Sequence, residues 1–387
     1  MIARILIPLI VLIAIPDLYL HWHYLKRKKG YTAAWRAVYW MPAVLLLAYT
    51  FVLASVRGFA PEQTEWLYIY LLLIGLFVVP KAVFALCSFI GLLCCRVFRK
   101  RMNWGNLIGL LLAVFTVLVV LYGSFIGNRR LVVRHEELSF KSLPDAFDGY
   151  KIVQFSDAHV GSYLGSTRFL EKVVDLINEQ DADAVMFTGD LQNMLPSELD
   201  GVQSILSSIK PKDGVWSILG NHDYSDYTND DPATEALNES LLCSKERSMG
   251  WRLLLNEHQT VRRGSDSLVI AGMENYGKTP SCQKGDIEKT MKGIKKGAFV
   301  IMLQHDPSSW KEVILPHSDA QLTLSGHTHG GQLRIFGWSP ASLAYDAWGG
   351  MCHEGHRALN VSTGIGGFVP FRFGVTPEIV VITLHAE

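Results

Sequence analysis

At 387 residues the chain exceeds the usual size of one domain, and its 36 basic side chains balance 36 acidic ones, which gives no support for a nucleic-acid partner, whose phosphates would demand a clustered basic surface. A mean hydropathy of +0.19 is too high for an ordinary soluble enzyme, and the apolar excess lies before about Ile126. None of the six cysteines forms a CxxC pair, which argues against a structural zinc site.

Four apolar runs have the roughly 20-residue length that a hydrocarbon core requires of a helix: Ile2 to Leu20, Ala37 to Val56, Trp66 to about Cys95, and Leu107 to Ile126. The first could be read as a signal peptide, but it lacks a small-residue cleavage site and three more spans follow. The third holds Pro80-Lys81 in its middle and reads as one kinked helix whose lysine faces other helices, rather than as two re-entrant pieces. Lys26, Arg27, Lys28, Lys29 and Arg36 follow the first run, and Arg96, Arg99, Lys100 and Arg101 follow the third, whereas the second connection has Arg57 against Glu62 and Glu65. The positive-inside rule puts the two basic loops in the cytoplasm and the C-terminal region outside it, with Arg129 and Arg130 arguing more weakly the other way. The chain therefore divides into a transmembrane region (1–128), a connecting strand or linker (129–149, with a strand over Arg134 to Lys141) and a C-terminal domain (150–387).

From Lys151 onward, short apolar runs alternate with helical patterns and turns: KIVQF, a helix from Arg168 to Gln180, AVMFTG, a helix from Ser197 to Ile209, and GVWSILG. This is the signature of βαβ units and a mostly parallel sheet. Tyr224 to Glu239 is polar and acidic and reads as a surface loop leading into a helix. LLLNEHQTV, LVIAGM, FVIMLQ, QLTLSG, ALNVSTG and EIVVITL are strand-rich and predict a second sheet packed on the first, with helices outside.

Five of the strand ends carry chemistry. Asp157 and His159 follow IVQF, Asp190 follows MFTG, Asn221 and His222 follow SILG, His305 follows FVIMLQ, and His327 and His329 follow TLSG. In an open α/β sheet the crevice beyond the carboxyl ends of the strands is where sites lie. Carboxylate and amide oxygens mixed with imidazoles suit Mn, Fe, Zn or Co better than an all-oxygen calcium cage. Asp157, His159, Asp190, Asn221, His305, His327 and His329 are too many ligands for one ion with an open position, and suit two divalent ions sharing a carboxylate.

The order DAH, GDLQN, GNHDY, QHD, GHTHGGQ resembles the calcineurin-like metallophosphoesterase family from about Tyr150 onward, and STGIGGFVPFRFGVTPEIVVITL resembles its membrane-attached bacterial branch, similar to phosphodiesterase YaeI and YkuE. The resemblance implies a four-layer α/β/β/α sandwich behind an all-α bundle of four transmembrane helices, in a multi-pass protein of a bacterial cell membrane. It also implies one metal on Asp157, His159, Asp190 and His329, another on Asp190, Asn221, His305 and His327, and His222 as general acid. Asp223 either orients His222 or caps its turn, and Arg372 is either a substrate contact or part of a salt bridge. The segment GDLQNML lacks the arginine of the GDxxDRG phosphoprotein phosphatases, which disfavours protein substrates. The expected reaction is hydrolysis of phosphodiester or pyrophosphate bonds in a lipid or envelope metabolite, with a phosphomonoesterase and a non-catalytic metal-binding receptor as alternatives. His353 and His356 read as a solvated loop, and Cys243 and Cys282 are the pair to test for a disulfide if the domain is extracytoplasmic.

Overall fold

The computed structural model describes residues 2–26, 28–61, 63–163, 165–279 and 282–387; Arg27 and Glu62, used above in the charge pattern of the loops, lie outside the described residues. The chain forms two compact units, residues 1–126 with 227–229, and residues 127–226 with 230–387.

Among the described residues four helical segments are long and apolar enough to cross a membrane: Ile2–Leu25, Ala33–Ala54, Thr64–Val97 and Trp104–Arg129. Their α-helical parts are α1 (Leu6–Leu20), α2 (Ala33–Ala54), α3 (Thr64–Leu73) with α4 (Val79–Val97), and α5 (Trp104–Phe125). The third segment is continuous. Pro80 has no N–H to give the preceding turn, and a π-helical stretch, Ile74–Val78, absorbs the mismatch directly before it. Lys81 does face another helix: its amine lies 2.6 Å from the buried Asp17 carboxylate, which also accepts from the Tyr39 hydroxyl at 3.1 Å. An isolated charge at that depth would be expensive, and mutual pairing lowers the cost.

The second unit is built on two six-stranded sheets. Its strands are β1 (Val132–Phe140), β2 (Tyr150–Phe155), β3 (Ala184–Phe187), β4 (Gly214–Ser217), β5 (Arg252–Leu253), β6 (Glu257–Arg263), β7 (Asp266–Gly272), β8 (Phe299–Leu303), β9 (Leu322–Ser325), β10 (Gly350–Glu354), β11 (Arg357–Val361) and β12 (Glu378–Ala386). One sheet runs β1-β12-β2-β3-β4-β5, the other β10-β11-β9-β8-β7-β6. β2 to β5 are mutually parallel, as are β7, β8, β9 and β11. β1, expected to be a connector, pairs in parallel with β12 as the outermost strand of the first sheet.

Three apolar cores account for the layering. Ile152, Met186, Trp216, Ile270, Ile301 and Leu324 belong to the core between the sheets. The alternate residues of the first sheet, among them Val153, Val185 and Val215, pack on α6 (Arg168–Asn178), α7 (Gln203–Leu206) and α8 (Pro232–Ser248). Those of the second, among them Val300 and Met302, pack on α9 (Ile287–Met291) and on Trp310 and Ile314 ahead of the short α10 (Leu315–His317). Strands buried on both faces are apolar throughout, which is why they read as uninterrupted runs. Gln154 in IVQF is one exception, as are Ser217, Thr323, Ser325 and Asn360. The Gln154 amide donates to Ser325 O at 2.8 Å and accepts from Asn360 at 2.6 Å, joining the sheets next to the strand ends.

Several expected elements differ. The helix over Ser197 to Ile209 is two short pieces, Pro196–Leu199 and α7, because Gly201 takes φ 86° between them. α8 starts inside the supposed loop, capped by Asp231, whose carboxylate accepts from Ala233 N and Thr234 N. His353 is on strand β10, exposed, and His356 is exposed in the β10–β11 turn. Cys243 is buried on α8, and Cys282 is half-buried.

Glu246 on α8 is fully buried, with the Ser217 hydroxyl beside its carboxylate. Burial, reinforced by Asp223, raises its pKa well above the ordinary carboxyl range. The folded protein therefore keeps a proton that the unfolded chain releases above about pH 4.5, so this group's contribution to stability is full below that pH and is lost as pH rises. Glu246→Gln removes the dependence. The stability difference between variant and parent is expected to move in the variant's favour as pH rises above 5, read from melting in detergent between pH 5 and 8; a gap that does not change with pH would contradict it.

Candidate active site

All the expected ligands converge at the carboxyl edge of the two sheets. Asp157 and His159 follow β2, Asp190 follows β3, Asn221 and His222 follow β4, His305 follows β8, and His327 and His329 follow β9. Asp190 sits among them. Its Oδ2 is 3.5 Å from His159 Nε2 and 3.2 Å from His305 Nε2, and its Oδ1 accepts from the His222 backbone N–H at 2.9 Å. Nearby, His329 Nε2 is 3.7 Å from Asp157 Oδ1, and His327 Nδ1 is 3.2 Å from His305 Nε2. Three overlapping sets have metal-ligand proximity: Asp157, His159 and His329; His159, Asp190 and His222; and Asp190, His305 and His327.

The backbone is bent to deliver them. Asp157, His159, Asp190, His327 and His329 all have φ between 45° and 73°, a region that non-glycine residues rarely enter unless the surrounding structure imposes it. Gly220 is required by close approach, since a Cβ there would lie 2.2 Å from Asp190 Oδ1 and 2.5 Å from Asp190 N. The STGIGGF segment supports the DAH turn from below, with Ile365 N donating to Ser156 O and Gly366 N to Asp157 O, each at 2.9 Å.

Asp223 ties two ligand turns together. Its buried carboxylate accepts the backbone N–H groups of Asp190, Leu191 and Gly220 at 2.8 Å and of Gln192 at 3.2 Å. It thus caps the turns and leaves the His222 ring to other partners. Burial and the neighbouring Asp190 push its pKa up to about 7 against those bonds. Asp223→Ala would leave four N–H groups without their acceptor. We expect a stability loss of roughly 3 kcal/mol or more together with reduced metal content, measured by thermal melting and elemental analysis; unchanged melting would show that the brace is dispensable.

Outer partners fix which ring nitrogen each histidine offers. His159 Nδ1 is 3.0 Å from Asn193 Oδ1, and His305 Nδ1 donates to Thr188 O at 2.7 Å, so both present Nε2 to the centre. His327 Nε2 lies 2.8 Å from the Tyr345 hydroxyl, leaving Nδ1 facing His305. Such partners orient ligands and raise their basicity. Asn193 lies in the motif GDLQN yet stands out only once its contact is seen, and Tyr345 carries no sequence signal for its contact with His327. His222 donates Nδ1–H to Asn193 O at 2.6 Å and stacks on Phe368 with centroids 5.7 Å apart.

The field at the centre attracts positive charge. Burial works against charged His305, but Asp190 and Asp157 raise its pKa to about 10. Burial likewise works against an ionised Asp190, yet His305, His222 and His159 hold it well below the usual carboxylate range. His159 Nε2 and His329 Nδ1 are buried and make no hydrogen bond among the described residues. An orphaned imidazole nitrogen beside an ionised carboxylate, as His159 Nε2 is beside Asp190, fits a divalent cation. Arg372 makes no salt bridge among the described residues: buried, it donates to Thr363 O at 2.7 Å, to Gly366 O, and to Thr376 O at 3.4 Å.

Two family descriptions match: "Probable Calcineurin-like phosphoesterase, transmembrane domain" over residues 3–128, and "Calcineurin-like phosphoesterase" over residues 150–331. Among similar proteins, a transmembrane protein with metallophosphoesterase domain from Danio rerio is 32% identical over 57% of this chain and 49% of its own length, so the chain spans about half of that relative. The uncharacterized metallophosphoesterase YkuE of Bacillus subtilis (strain 168) is 30% identical over 68% of this chain and 89% of its own length. An uncharacterized metallophosphoesterase of Aquifex aeolicus (strain VF5) is 29% identical over 70% and 98% respectively. With four candidate membrane spans among the described residues ahead of a two-sheet domain whose strand ends gather the expected ligand motifs, the chain belongs to the calcineurin-like metallophosphoesterase family.

Proposed function

We propose that the protein is a two-metal phosphodiesterase, acting on phosphodiester or pyrophosphate bonds of a lipid or envelope metabolite. The observation that carries this reading is the cluster of Asp157, His159, His222, His305, His327 and His329 with Asp190, in a chain with four candidate membrane spans among the described residues. Asp157, His159, Asp190 and His329 would hold one cation, Asp190, Asn221, His305 and His327 the other, with Asp190 shared. Bound cations of the Mn, Fe, Zn or Co type supply Lewis acidity to phosphoryl oxygens and lower the pKa of water. The protein's own part is to exclude bulk water, hold the ligands in strained turns, and present His222 Nε2 as the proton donor, since Nδ1–H is already given to Asn193 O. A diester is favoured over a monoester because Arg372, buried beside the site, directs Nη1 and Nη2 to the carbonyls of Thr376, Thr363 and Gly366 rather than toward a phosphate dianion.

The test is hydrolysis of bis-p-nitrophenyl phosphate and p-nitrophenyl phosphate by the purified full chain with added Mn and after chelation. The diester should turn over faster and chelation should stop it; faster monoester hydrolysis would make the protein a phosphomonoesterase, and hydrolysis of neither with any metal would leave a binding role. The basic clusters after the first and third spans support an extracytoplasmic catalytic domain. A reporter active only outside the cytoplasm, fused after Glu387, should work, and activity confined to a cytoplasm-dependent reporter would reverse the sidedness.

A further inference from the structure

The site is flanked by a loop that displays apolar side chains where folding gives them nothing to pack against. Between the His329 turn and Tyr345, Ile335 and Trp338 exchange backbone hydrogen bonds of 2.9 and 3.0 Å, with Phe336 (φ 49°) and Gly337 (φ 86°) between them. A two-residue turn with both central residues left-handed selects asparagine, aspartate or glycine, and a bulky aromatic there is an outlier. Phe336 is nevertheless fully exposed, at 105%, and Leu343 (80%) and Trp338 (50%) stand out from the same loop. An aromatic held in unfavourable backbone with no packing to compensate points to a role outside the fold.

The loop is tied to the site's own residues. Arg334 N donates to Phe373 O at 2.7 Å, Phe373 N to Gln332 O at 2.9 Å, Ser339 Oγ to Gly330 O at 2.7 Å, and Tyr345 closes the loop on His327. Lys278 adds a cation, its amine bonded to Ala344 O and 4.9 Å from the Tyr345 ring centroid.

Connectivity says what this edge meets. Six residues, 126–131, separate the last membrane helix from β1, a reach of about 20 Å when fully extended. β1 enters beside the first residue of β12 (Val132 opposite Glu378), and β12 runs antiparallel to β2, with Val380 opposite Gln154. The chain therefore arrives from the membrane at the carboxyl end of β2, the edge that bears the site.

We propose that Phe336, Trp338 and Leu343 insert into the interfacial layer of the lipid bilayer and hold the metal-site edge at headgroup level. Aromatic side chains favour that layer, and Lys278 suits its anionic headgroups. Bilayer insertion rests on the loop and the tether; only its use, delivering a lipid headgroup, rests on the lipid-substrate reading.

The full chain, reconstituted in phosphatidylcholine–phosphatidylglycerol vesicles, would carry photoreactive p-benzoylphenylalanine at position 336 or, as control, at Ser265 in the β6–β7 turn on the opposite edge. Irradiation followed by mass spectrometry should give lipid adducts at 336 and none at 265. Adducts to protein alone at 336, equal lipid labelling at both positions, or no labelling at 336 would overturn the proposal. In parallel, the triple variant F336S/W338S/L343S should hydrolyse soluble bis-p-nitrophenyl phosphate within about twofold of the parent and should lose lipid labelling from neighbouring position 335. Retained labelling there would overturn it. If lipid adducts form at 336 but no diester lipid in the vesicles is hydrolysed by the parent, insertion stands and the lipid-substrate reading fails.

Discussion

Asp190→Asn is expected to leave a folded, membrane-embedded protein that no longer retains its metals and no longer hydrolyses phosphoesters. The substitution keeps size and shape, and asparagine Oδ1 can still accept the His222 backbone N–H. What it changes is the oxygen that faces His159 Nε2 at 3.5 Å and His305 Nε2 at 3.2 Å. An amide nitrogen there would turn donors toward the centre, and the charge that raises His305 would be gone. Both proposed cations lose a ligand at once, so affinity should fall by more than the roughly 10- to 100-fold typical of changing an outer partner. Elemental analysis would show metal loss and circular dichroism an unchanged fold. Normal metal content with normal turnover would refute the site.

Much of the fold could be read from the residues because its strands are buried on both faces. Ala184–Phe187 and Phe299–Leu303 are apolar at every position, since alternate residues serve the inter-sheet and outer cores. Where burial is partial, the pattern fails. β10 is an edge strand with half-exposed and exposed residues, GMCHE, and has neither alternation nor an apolar run. α8 carries Asp231 and Pro232 as a start signal, but its polar surface matches a loop as well as a helix. The break at Gly201 was visible only as a glycine inside an otherwise acceptable helical pattern.

The candidate site divides along similar lines. Its donors sit in short turns directly after strands, so each is a local motif: Asp157 and His159 in DAH, Asn221 in GNHD, His327 and His329 in GHTH. What local motifs cannot carry is a contact across the sequence. Asp223 reaches back to the backbone of Asp190, Leu191 and Gln192, Asn193 orients His159, and Tyr345 touches His327 from a loop of its own. Arg372 resembled an anion contact because of its charge, and only the carbonyls of Thr363 and Gly366 around it reveal a structural role.

His222→Ala should give the second large effect, of a different kind from Asp190→Asn. The ring is held by Asn193 O on one side and by Phe368 against its face, and burial, despite the opposing field of Asp190, lowers its pKa to about 4. A neutral imidazole with Nδ1–H committed to a carbonyl can pick up a proton only at Nε2, and a bound phosphoryl anion is what would stabilise it there. Removing the ring should leave metal content nearly intact and lower turnover by roughly 10²- to 10⁴-fold. The loss should be deeper for a diester with an alkoxide leaving group than for one releasing p-nitrophenolate, which needs little protonation. Equal losses on both substrates would remove proton donation from His222. Metal loss as complete as in Asp190→Asn would instead make it a ligand, in keeping with its place beside His159 and Asp190.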